Sequence, residues 1–147
     1  MRLWRIASKV PAGYAADDLS GEGARREGAR WNSPGVPALY TSVSASTAVL
    51  ESLAHLGARK QPANRYLVVI EIPDRVFGHR SYGVKHFAAA VLPKHWNADP
   101  VHQVSQLWGD ALLPDESRIK VMRSMPAVGF SVPSVLVEED SNVVLNP

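Results

Sequence analysis

The sequence predicts a single compact α+β domain. Strand-like apolar runs stand near the beginning, middle and end of the chain, and helical patterns fall irregularly between them. With 147 residues, 46% of them hydrophobic and 20% charged, the chain is long enough to bury one core without staples. It has no Cys, which excludes disulfides and thiolate metal sites.

The elements follow in order. LWRIAS (3–8) reads as an opening strand, and the Gly-rich stretch 20–28 reads as loop. VPALYTS (36–42) follows a Pro-Gly turn and reads as a second strand. SASTAVLESLAHLG (44–57) is the clearest helix, with Ser44 or Ser46 to cap its start and Gly57 to suit its end. YLVVIEIP (66–73) is largely β-branched and stopped by Pro73, so it predicts a well-buried strand. FAAAVLPKHW (87–96) predicts a short helix ended by Pro93, and VHQVSQLWGDALL (101–113) a helix with Pro100 near its start. FSVPSVLVEE (130–139) and NVVLN (142–146) predict two late strands.

The net charge of +2 and pI of about 9.1 are mildly basic, but the distribution is uneven. Residues 59–94 hold seven Lys/Arg against Glu71 and Asp74, whereas the tail carries Glu138-Glu139-Asp140. A basic middle suits either an ordinary solvated surface or a phosphate-bearing or acidic partner. The N-terminal segment lacks the pattern of a signal peptide, and no apolar run approaches the roughly 20 residues of a membrane span. A cytoplasmic protein without membrane contact is the expectation.

Chemistry concentrates in GARWNSPGVPALYTS (28–42), which places Arg30, Trp31 and Asn32 together before a turn and then Tyr40. The cluster is either a clamp around the turn or one wall of a binding site. On the helix 44–57, Val49, Leu53 and Leu56 fall within about 60° of one another, Leu50 widens that stripe, and Glu51 lies opposite. Glu51 therefore faces solvent, or a cleft if the 28–42 segment lies over that face. Glu51 and His55 have i, i+4 spacing but no second ligand pair, so no metal site is expected. Ser134 follows Pro133 without a G-x-S-x-G elbow, and no P-loop or G-x-G-x-x-G fingerprint occurs. Trp96 and Trp108 read as packing residues.

The block GARWNSPGVPALYTSVSASTAVLESLAHL resembles the signature of the RES-domain family, named for Arg, Glu and Ser. Arg30 stands in a G-x-R-W-N context, Tyr40 in LYTS, Glu51 in AVLE-x-L and Ser134 in VPS; LPKHW (92–96), LWGDALL (107–113) and NVVLNP (142–147) extend the likeness over nearly the whole chain, 1–147. The chain departs from the pattern at Ala111-Leu112-Leu113, where relatives often carry Trp, and at 118–127, which reads as an insertion.

The resemblance implies an ADP-ribosyltransferase-like mixed β core with flanking helices. It also implies a toxin of a type II toxin–antitoxin pair, with an Xre-like helix-turn-helix antitoxin as partner and DNA contact only through that complex. The implied activity is cleavage of the nicotinamide–ribose bond of NAD+ by hydrolysis or phosphorolysis, with NAD+ as substrate and no further cofactor. Transfer of ADP-ribose to a protein is the alternative. Arg30, Tyr40, Glu51 and Ser134 would be the catalytic set, with Trp31 and Asn32 supporting NAD+ binding. Independently of the resemblance, a basic RNA-binding or RNA-cleaving toxin is a second alternative, with Tyr66, Tyr82 and Phe87 interleaved among the cations of 59–94.

Overall fold

A computed structural model describes residues 1–8, 15–56, 63–113 and 127–147. Its centre is a six-stranded mixed sheet of β1 (Arg2–Ser8), β2 (Leu39–Ser42), β3 (Arg65–Glu71), β4 (Val84–His86), β5 (Gly129–Pro133) and β6 (Ser141–Leu145). The strand order is β3-β1-β2-β6-β5-β4, and only the β4–β5 pairing is parallel. Helices α1 (Glu22–Glu27), α2 (Ala45–Leu56), α3 (Asp74–Phe77) and α4 (Gln103–Asp110) flank it. Among the described residues, no helix is long and apolar enough to cross a membrane.

Strand alternation divides the core between the two faces of the sheet. Leu39, Val143 and Leu145 project to one face, where they pack with Leu3, Ile72 and Val84. Tyr40, Val144, Phe130 and Val132 project to the other, together with Trp31, Leu92 and Leu113. Trp31 is the hub of that second cluster: its ring lies 6.1 Å from Trp96, 5.4 Å from Trp108 and 6.2 Å from Phe130. The packing role expected for Trp96 and Trp108 is observed.

Four local expectations are corrected. The 20–28 stretch is not all loop, because Glu22 pairs with Arg25 (3.4 Å) and Arg26 (3.1 Å) over one helical turn. Left-handed Gly21 and Gly28 (φ 68° and 71°) bracket that turn as α1. The 66–73 run is no buried strand: β3 is an edge strand hydrogen-bonded to β1, with Tyr66, Leu67 and Val69 exposed. The 87–96 helix shrinks to a 3₁₀ turn at Ala89–Val91, since Phe87 instead donates its N–H to Ser131 O and Pro93 blocks extension. β5 ends at Pro133, after which Ser134 N–H bonds Asp140 O across a turn. Gly57 and residues 118–126 lie outside the described residues.

The largest departure concerns α2. Its apolar stripe points outward, with Val49, Leu50 and Leu53 38%, 47% and 45% exposed. The inward side instead carries Ala48, Glu51, Ser52 and His55. Helix periodicity located both faces correctly; the sheet beneath offers Ser42 and Asn142 beside Trp4 and Ile6, and the side of the helix that carries Glu51 turns toward them.

The segment before β2 is clamped to α4. Ser33 N–H donates to Asp110 Oδ1 (2.9 Å) and Gln106 Nε2 to Ala29 O (3.1 Å). Backbone meets backbone at Gly109, which is buried in α4, and a Cβ there would collide with the Trp31 carbonyl oxygen. Gly109→Ala is therefore expected to cost about 1–3 kcal/mol through overpacking, a Tm drop of roughly 3–10 °C. An unchanged thermal melt would show that α4 does not bear on Trp31 in this way.

Candidate active site

The described residues form an open cleft of about 290 Å³ between the sheet and the inward side of α2. Trp4 and Ile6 of β1, Tyr40 and Ser42 of β2 and Asn142 of β6 contribute its floor; Arg30, Glu51, His55 and Arg65 stand around it. The structure thus brings Arg30, Tyr40 and Glu51 to one cavity from three separate elements.

Placement of Glu51 begins at the start of α2. Ser44 caps the helix by accepting the Thr47 N–H (3.1 Å). Asp140 then receives the hydroxyls of Ser44 (2.6 Å) and Thr47 and the N–H of Ser141 (2.8 Å). Partial burial pushes the Asp140 carboxyl up, but these three donors outweigh it and hold the group below the usual carboxylate range. The helix is thereby fixed against the β5–β6 turn.

From that anchor Glu51 reaches across to two donors. Ser134 Oγ donates to Glu51 Oε1 at 2.8 Å, and Asn142 Nδ2 donates to the same oxygen at 2.5 Å. Ser42 Oγ donates to Asn142 Oδ1 (2.6 Å), which fixes the amide so that its NH₂ faces Glu51. Among the described residues Oε2 accepts no hydrogen bond, which leaves one carboxylate oxygen free for a ligand in the cleft.

Ser134 is 1% exposed, and its hydroxyl also accepts the N–H groups of Leu136 and Val137 (3.1 Å each). Its hydrogen-bonding capacity is filled, with the proton directed at Glu51, so it holds the carboxylate instead of touching a ligand. Asn142 escaped the sequence reading because it looks like an ordinary strand residue. Asp140 escaped it because an acidic triplet reads as surface charge.

The 28–42 segment is a clamp around its turn, and it also lines the opposite wall of the cleft. Tyr40 OH donates to Asn32 Oδ1 (2.8 Å) and accepts the Trp31 N–H (2.9 Å). Burial pushes the Tyr40 phenol well above its ordinary value, so it stays protonated and its hydroxyl is committed to the loop. Its ring remains part of the cleft. Asn32 is fully buried, and its Nδ2 donates to the carbonyls of Ala24 and Val36 (2.8 Å each). Asn32 thus lies inside the loop, away from the cleft lining. Trp31 is 3% exposed, with its ring in the core cluster.

Arg30 lines the cleft but is already engaged, its Nη1 donating to Trp96 O (2.8 Å) and Ala98 O (2.9 Å). Two carbonyl bonds hold the guanidinium in one position and tie the 96–98 segment to the cleft wall. Of the aromatics that could have served a nucleic acid, Tyr82 stacks on His79 (3.5 Å between ring centroids), and Phe87 packs on Trp108 (4.9 Å). They form no common platform with Tyr66. No group of three or more His, Asp or Glu suited to a metal occurs among the described residues.

Comparison with known proteins agrees with this architecture. The RES-domain family model matches residues 2–147. The chain is 38% identical over 145 residues to the Prs ADP-ribosylating toxin of Sphingobium sp. (strain YBL2), covering 99% of this chain and 81% of that protein. It is 31% identical to Toxin Res of Yersinia enterocolitica, covering 100% of this chain and 84% of that one. In three dimensions it is similar to a chain in the M. tuberculosis MbcT–MbcA toxin–antitoxin complex. That likeness has a TM-score of 0.65 at 24% identity and covers 98% of this chain and 72% of the other. The protein belongs to the RES-domain family.

Proposed function

We propose that the cleft binds NAD+ and cleaves its nicotinamide–ribose bond, and that the protein acts as the toxin of a toxin–antitoxin pair. The observation that carries this reading is the Glu51 carboxylate, with Oε1 pinned by Ser134 and Asn142 and Oε2 free in a cleft that also presents arginine and tyrosine. Departure of nicotinamide leaves oxocarbenium character on the ribose, as in glycoside cleavage. Nicotinamide leaves as a neutral molecule, so the reaction needs position and electrostatic stabilisation more than a strong acid. Glu51 Oε2 accepts a ribose hydroxyl and stabilises the developing positive charge. The Tyr40 ring lies under the cationic nicotinamide, an attraction of about 0.5–2 kcal/mol. Arg30, held by two carbonyls, fixes the wall and supplies a cation with its remaining N–H groups.

Water or phosphate as acceptor gives NAD+ depletion. A protein side chain as acceptor gives ADP-ribosylation, and the 38% identical relative named as an ADP-ribosylating toxin favours keeping that outcome in view. Both use the same bond cleavage. An Xre-like antitoxin is the proposed partner, and the outward stripe of Val49, Leu50 and Leu53 is the kind of surface such a partner covers.

Nicotinamide release by the purified protein, with and without phosphate and with product masses measured, tests the proposal. Glu51→Gln keeps the shape and removes the charge, so release is expected to fall by at least about a hundredfold in a folded protein. Undiminished activity would exclude Glu51 from the chemistry. Asn142→Ala removes one of the two donors on Oε1, and kcat is expected to fall about five- to thirtyfold with little change in KM; a pure KM effect would contradict its role in holding Glu51. Arg30→Ala leaves the carbonyls of Trp96 and Ala98 without their donor. It is expected to lower Tm as well as NAD+ affinity, and loss of affinity at unchanged Tm would assign Arg30 to ligand contact alone.

A further inference from the structure

We propose that Arg65, at the start of β3, forms the subsite for the pyrophosphate of the dinucleotide. This rests on reading the cleft as an NAD+ site. Three arginines border the cleft (Arg5, Arg30 and Arg65), and Arg30 and Arg65 set two cations against the single carboxylate of Glu51 among the described residues, so it favours an anion. The three arginines are not equivalent. Alternation along β1 sends Trp4 and Ile6 into the cleft and Arg5 to the opposite face, where its Nη1 donates to Asp18 O at 2.8 Å. Arg30 spends Nη1 on two carbonyls.

Arg65 is placed differently. It pairs across the sheet with Ser8, on the same face as Trp4 and Ile6, and its Nη1 donates to the Ser8 hydroxyl. Among the described residues this is its one side-chain bond; it steers the side chain along the sheet edge and leaves most of the planar fork open, the geometry that suits a phosphate.

The layout of α2 gives the direction in which the substrate runs. His55 is one turn beyond Glu51, about 6 Å further along the helix and roughly the span of a ribose with its 5′ carbon. Both line the cleft. With the reacting ribose at Glu51 and nicotinamide over Tyr40, the 5′-phosphate extends past His55 toward Arg65. The apolar surface of Trp4 and Ile6 lies beneath that path.

Calorimetry with ADP-ribose tests the subsite in the whole chain, because this probe carries the pyrophosphate and lacks the scissile bond. Arg65→Ala is expected to weaken ADP-ribose binding roughly ten- to a hundredfold, the effect of losing charged hydrogen bonds. Arg65→Lys should restore much of the loss, and Tm should stay unchanged in both, as a merely structural role for Arg65 would not allow. Wild-type affinity in Arg65→Ala, or no binding of ADP-ribose by the wild type, overturns the subsite. The reading of the cleft fails separately, if ADP-ribose binds through Arg65 and no nicotinamide is released from NAD+.

Discussion

The site depends on how the start of α2 is held. Asp140, in the turn between β5 and β6, gathers the hydroxyls of Ser44 and Thr47. The same turn presents Ser134 to Glu51, and the following strand presents Asn142. Helix and sheet are therefore joined twice by side chains, at the cap and at the carboxylate. Glu51 comes seven residues after Ser44, two turns along the helix, so a shift at the cap carries through to the carboxylate.

This arrangement accounts for the reversed helix. A helix with exposed Val49, Leu50 and Leu53 gives up part of the hydrophobic driving force that usually docks such elements. Here the docking is polar, and Ser42, Thr47, Ser134 and Asn142 take part in side-chain hydrogen bonds at or near the junction. Polar groups removed from water cost free energy unless they are paired, and these are paired with one another. The result is a fixed polar patch beside the apolar floor of Trp4 and Ile6, where Oε1 of Glu51 takes two donors and Oε2 accepts none among the described residues.

The opposing wall uses the same economy with different residues. Tyr40 and Asn32 lock the loop through each other and through the Ala24 and Val36 carbonyls. Trp31 anchors it in the aromatic cluster with Trp96, Trp108 and Phe130. Arg30 is fastened to Trp96 O and Ala98 O. A loop unusually rich in large side chains is needed because each of them secures a different neighbour.

Sequence by itself determined the α+β class, the strands at either end, the α2 helix and the family, because these rest on local periodicity and an ordered set of motifs. It also singled out Arg30, Tyr40 and Glu51, which line one cleft, and Ser134, which hydrogen-bonds Glu51. Local pattern could not tell the inside of α2 from its outside, nor an edge strand from a central one, since apolar spacing marks a face without naming what covers it. Only the tertiary structure decided that Ser134 and Asn142 share one oxygen of Glu51, that Asn32 lies inside the loop and that Asp140 anchors the helix. Those facts join residues 83, 91 and 93 positions apart for the three side-chain contacts Glu51–Ser134, Glu51–Asn142 and Thr47–Asp140. Contacts of that separation are set by chain topology, which no window of neighbouring residues contains.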